Sequence, residues 1–98
     1  MNWNLDFEHR STHHLLTRAP ALARKFDERA HVIGEGIDWT ALEDACFSDA
    51  ERLLARAARD LWNRTGQAPL GELLSTLDED NFQALMTAMR LWRERSTR

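Results

Sequence analysis

Ninety-eight residues, 43% of them apolar and 30% charged, have the composition of a globular chain rather than a disordered one, and support one modest core. A net charge of −3 argues against a general binder of nucleic acid or anionic membrane. Cys46 is the single cysteine, which excludes an intramolecular disulfide.

Other compositional features narrow the class. Leu and Ala dominate the apolar set, and Val32, Ile33 and Ile37 are its only β-branched members, so an all-α fold is expected. Lys25 stands alone against twelve arginines, the skew of a high-GC bacterial sequence. Met1-Asn2-Trp3-Asn4 offers neither a basic nor an apolar leader region, and no apolar run approaches the roughly 20 residues of a membrane span. With an unpaired cysteine, the expected setting is the cytoplasm.

At the N-terminus, Trp3, Leu5 and Phe7 alternate with Asn2, Asn4 and Asp6, the period of an extended strand. Residues 1–10 therefore read as an arm, which must pack on the domain, pair with His31-Val32-Ile33 or meet a partner. Leu15, Leu16, Ala19, Leu22, Ala23, Phe26 and Ala30 share a helical face over 12–31. Pro20 interrupts it, and the favoured reading ends one helix near Arg18 and starts another at Pro20. Residues 32–36 form a connector bent at Gly34 and Gly36. Asp38 caps a short helix reaching about Ala45, with Ile37 and Leu42 as its hydrophobic staple.

The strongest element spans 48–64. Ser48 and Glu51 make a capping box, and Ala50, Leu53, Leu54, Ala57, Ala58, Leu61 and Trp62 repeat as one buried stripe. Thr65-Gly66 ends it. Pro69 opens a short helix with Leu70, Leu73, Leu74 and Leu77 on its apolar face. Asp78 caps the last helix, 79–94, whose apolar set (Phe82, Ala84, Leu85, Met86, Ala88, Met89, Leu91, Trp92) is too broad for one packing layer. It implies burial on two sides, by the domain or by a partner. The expected fold is a single domain over 1–98, a compact bundle of about four to five helices with the N-terminal arm. Leu53, Leu54, Ala57, Ala58, Leu61, Trp62, Leu73, Leu74, Leu77, Phe82, Leu85 and Met89 are its expected core.

Chemistry-bearing residues are sparse. His9 and His13 are spaced to share a helix face, with Asp6 or Glu8 nearby, but no second ligand pair occurs downstream, so no metal is expected. Nothing places the histidines against a nucleophile, and neither a catalytic site nor a cofactor is expected. Cys46, between Glu43-Asp44 and Phe47, reads as a buried structural thiol. Arg52, Arg56, Arg59 and Asn63 lie along one face of the 48–64 helix. That row suits phosphates or carboxylates unless Asp49, Glu51 and Asp60 neutralise it. Arg90, Arg93, Arg95 and Arg98 suit the C-terminal end of a helix dipole. Six acids and no base lie between Gly34 and Glu51, an acidic surface that could meet a basic partner.

Trp62 and Trp92 read as core, whereas Trp3 and Trp39 at element starts are candidate interface anchors. Docking of the last three helices on DNA is disfavoured, because Asp78, Glu79 and Asp80 would face the duplex.

The segments Asp60-Leu61-Trp62-Asn63, Leu70-Gly71-Glu72-Leu73-Leu74, Leu77-Asp78-Glu79-Asp80-Asn81-Phe82 and Ala88-Met89-Arg90-Leu91 resemble the C-terminal half of small bacterial proteins associated with phage or mobile elements. The resemblance covers about half the chain and brings no activity with it. It implies an accessory role, such as inhibition of a host system.

The expected function is non-enzymatic binding of another protein, with Trp3, Leu5, Phe7, Trp39, Arg52, Arg56 and Arg59 as candidate contacts and a homodimer as one arrangement. The alternative is a nucleic-acid-associated regulator using the arginine row.

Overall fold

Asp6 decides how the described chain begins. Its carboxylate accepts from the His9 backbone N–H at 2.8 Å, which satisfies an orphan donor of a helix first turn and starts α1 (Phe7–Arg18). The computed structural model describes residues 6–65 and 68–94. The extended reading of the arm therefore fails from Phe7 onward, because a cap one residue earlier outweighs a two-residue period of only three apolar side chains. Trp3 and Leu5 lie outside the described residues.

Ala19 is extended, and Pro20 then opens α2 (Pro20–Ala23), where its missing N–H costs nothing. The helix starting at Pro20 does not run on. Asp27 recaps the chain by accepting from Arg29 N–H at 3.0 Å and starts a separate turn, α3 (Glu28–His31). A minimal hairpin comes next, β1 (Val32–Ile33) antiparallel to β2 (Gly36–Ile37), with Val32 opposite Ile37. Gly34 turns it at φ +59, where a glycine carries no steric penalty. Among the described residues, Val32 and Ile33 pair with Ile37 and Gly36.

Asp38 caps α4 (Trp39–Asp44), and Ser48 with Glu51 completes the capping box of α5 (Asp49–Asn63). The left-handed stop of α5 is Arg64 at φ 58, ahead of Gly66, which lies outside the described residues. Pro69 caps rather than opens α6 (Leu70–Thr76), and Asp78 caps α7 (Glu79–Arg93). Among the described residues there are seven helices, two of them single turns, and the fold is an all-α bundle. No helix among them is long and apolar enough to cross a membrane.

α1 is the central strut. It runs antiparallel to α7: Phe7 meets Trp92 near the end of α7, and Ala21, just past α1, donates to Asn81 at its start. Its other side rests on α5, where the Thr12 hydroxyl donates to the Ala58 carbonyl. Leu15, Leu16, Leu22, Leu42 and Leu54 are wholly excluded from water at the centre. Trp39 joins them at 8% exposure, edge-on to Trp62 at 6.3 Å. It is a core residue and not an exposed anchor, because the hairpin folds the start of α4 back against α5.

Candidate protein-docking groove

The clearest departure from the expected core lies along α6. This helix is only seven residues long and rests on α5 through Leu73, which is 2% exposed, while making at most marginal contact with α7. Leu74 is 57% exposed, and Leu70 at 59% and Met89 at 45% are also uncovered. Leu74 and Met89 are therefore surface residues, contrary to their helical phase. The apolar faces exist, but no layer covers them.

Between these helices the chain leaves a groove of about 450 Å³. Ala57 and Leu61 of α5 and Leu73 and Leu85 of α6 and α7 line it, while Leu70, Met89 and Trp92 stand along it. Asp60 and Arg64 supply its polar lining. The Trp92 indole N–H donates to the Leu61 carbonyl at 3.1 Å, which satisfies a backbone group near the end of α5 and fixes the ring. The Arg64 guanidinium lies 5.2 Å from that ring's centroid, a cation–π contact. Behind this wall an aromatic cluster packs the end of the bundle: Phe7 lies edge-on to Trp92 at 5.1 Å, and His9 stacks on Trp62 at 4.2 Å. Phe7 is thus committed within its own chain. Trp62 and Trp92 are half-buried rather than fully core.

The other candidate residues fall elsewhere. Arg52 lies 3.9 Å from Asp49, and Arg59 lies 3.9 Å from Glu43 of α4. Arg56 lines one small hollow with Glu43 and another with Asp49 and Glu72. The row is interleaved with carboxylates from three helices, so it presents no continuous positive track. Cys46 is buried, its thiol donates to the Leu42 carbonyl at 3.3 Å, and burial, together with the Glu51 charge, raises its pKa. No cluster of three metal-binding side chains forms among the described residues.

The breadth of the α7 apolar set was the sequence signal for the groove. Nothing in the sequence showed that Leu70 and Leu74, two turns of apolar side chains, would remain uncovered. No protein-family model matches the chain, and neither a curated protein nor a solved structure does.

Proposed function

We propose that the chain is a non-enzymatic protein-binding module whose α5–α6–α7 groove accepts the apolar face of an amphipathic helix from a partner protein. One observation carries this reading: a groove of about 450 Å³ with Leu70 and Met89 uncovered along it. Leu70, Met89 and the half-buried Trp92 around one concavity resemble a docking site more than scattered surface residues. A helix presenting anchors at i, i+3 or i+4 and i+7 is the fitting occupant, since the walls are side chains of helices and offer no strand edge to extend. The resemblance of the C-terminal half supports an accessory or inhibitor role, because the groove is built from those segments. The nucleic-acid alternative is weaker, since carboxylates from three helices interrupt the Arg52, Arg56 and Arg59 row.

The test uses three baits in a host lysate: the wild type, Leu70→Glu and Met89→Glu. Both substitutions are at exposed positions and should leave the denaturation midpoint nearly unchanged. A partner held through the groove should bind each variant at least about tenfold more weakly, a loss of about 1.4 kcal/mol. Its interacting segment should be a peptide that becomes helical on binding. Retention of the same partner by both variants, or binding to duplex DNA at physiological salt that Arg56→Ala abolishes, would overturn the reading.

A further inference from the structure

The basic side chains of α1 are gathered in a way that neither the fold nor the groove requires. Arg10, His13, His14, Thr17 and Arg18 recur at i, i+3, i+4, i+7 and i+8, so they occupy one stripe of the helix. With Leu91 of α7 as the far wall they line a pocket of about 250 Å³ that contains no carboxylate. In a chain of net charge −3, this is a local excess of positive charge. Neither Arg10 nor Arg18 makes an ion pair with a described carboxylate, unlike Arg52 and Arg59 of α5. The Arg10 Nε is buried and finds no acceptor among the described residues, a costly state for a guanidinium N–H.

We propose that this α1–α7 pocket binds the phosphate group of a small ligand. Two guanidinium groups and two imidazoles gather their donors on one side of the pocket, where a phosphate, with three free oxygens, can accept from more of them at once than a carboxylate with two. Leu91 leaves the far wall apolar. The Thr17 hydroxyl is already committed to the His13 carbonyl at 2.7 Å, so recognition rests first on the Arg10 and Arg18 guanidinium groups, with the imidazoles beside them. At about 250 Å³ the pocket is smaller than the ~300–1,000 Å³ of sites that hold drug-sized molecules, which fits a small ligand. A metal cation is disfavoured because Arg10 and Arg18 flank both histidines.

Electrostatics agrees with the geometry. His13 and His14 both sit below the ordinary 6.5, chiefly through burial, and the Arg18 charge pushes each further down. The charged neighbours are Arg10 and Arg18 on α1 and Glu28 of α3, which raises His13, while α7 presents the uncharged Leu91 at the pocket. A bound dianion reverses the balance and draws protons onto both rings. By linkage its affinity must then rise as pH falls through the histidine range.

Titrating inorganic phosphate, pyrophosphate and sulfate into the full chain, with imidazole resonances of His13 and His14 as reporters, tests the proposal. Sulfate keeps its charge across the range and isolates the protein's own titration. Saturation should raise both histidine pKa values by about one unit, equivalent to roughly tenfold tighter anion binding per protonated ring. Arg18→Gln, at an exposed position, should weaken binding at least about tenfold, Arg10→Gln likewise, and Arg56→Gln on α5 not at all. Three results overturn it: unmoved His13 and His14 resonances at about 10 mM anion, where binding would be weaker than about −3 kcal/mol; equal affinity in Arg18→Gln; or a duplex that displaces phosphate with a steep salt slope, which makes the stripe a nucleic-acid surface.

Discussion

Asn81 ties two helices together with one amide. Its side-chain oxygen accepts from the Ala21 N–H at 3.0 Å, and its side-chain nitrogen donates to the Asp78 carboxylate at 2.8 Å. Pro20 forces this arrangement, because α2 begins in the core and its first free N–H would otherwise be buried without a partner. Asn81→Ala leaves that donor orphaned and is expected to cost about 1–3 kcal/mol, read as a lower urea midpoint; an unchanged midpoint would mean that water replaces the amide. Glu51 plays the corresponding part for α5. Its buried carboxylate accepts from the Phe47 and Ser48 N–H groups at 2.8 and 3.2 Å, and those bonds hold its pKa below the ordinary 4.5. Because the folded value is the lower one, the stabilisation is fully present above about 4.5 and disappears as pH falls through the folded pKa. Paired urea melts of wild type and Glu51→Gln should show the wild type ahead at about pH 7 and the gap narrowing towards about pH 3. Curves displaced equally at both pH values would show that the negative charge contributes nothing an amide does not.

Elements were legible wherever the signal is local. The capping box of α5, the caps at Asp38 and Asp78 and the break at Pro20 all depend on a few neighbouring residues, and all form. What failed required tertiary knowledge. Asp27 recaps the chain before α3, Asp6 starts α1 inside the expected arm, and Trp39 is carried into the core by a hairpin that local pattern cannot see. The groove was half legible, because helical phase marks an apolar face but cannot say whether another element covers it. Leu54 and Leu74 show the difference, since each lies on the apolar stripe of its helix and one is wholly buried while the other is 57% exposed. Leu54→Ala should therefore cost about 2–5 kcal/mol by leaving a cavity. Leu74→Ala should stay within about 0.5 kcal/mol. Guanidinium melts of the two side by side decide it, and a large loss for Leu74→Ala would mean that α6 closes onto α7 in solution.

At the scale of the whole molecule, α7 borders both the apolar groove and the basic pocket. Ala84 and Ala88 are buried where α7 packs on α1, while Leu85, Met89 and Trp92 turn to the groove and Leu91 walls the basic pocket. The excess apolar circumference of this helix is thus divided between internal packing and two surface features. The described chain nevertheless has one continuous core, to which α1, α2, α4, α5, α6 and α7 all contribute. A domain of this size with a single core should unfold in one step. Far-UV circular dichroism reports on all the helices. Indole fluorescence includes Trp39, Trp62 and Trp92, which cluster where α5 and α7 end. Urea transitions by the two probes should coincide, with a slope of about 1–3 kcal/mol/M. An earlier fluorescence transition would mean that this aromatic end opens on its own. The groove wall formed by Leu61 and Trp92 would then be assembled by the partner helix rather than waiting for it, and partner association should slow to the rate of that closure.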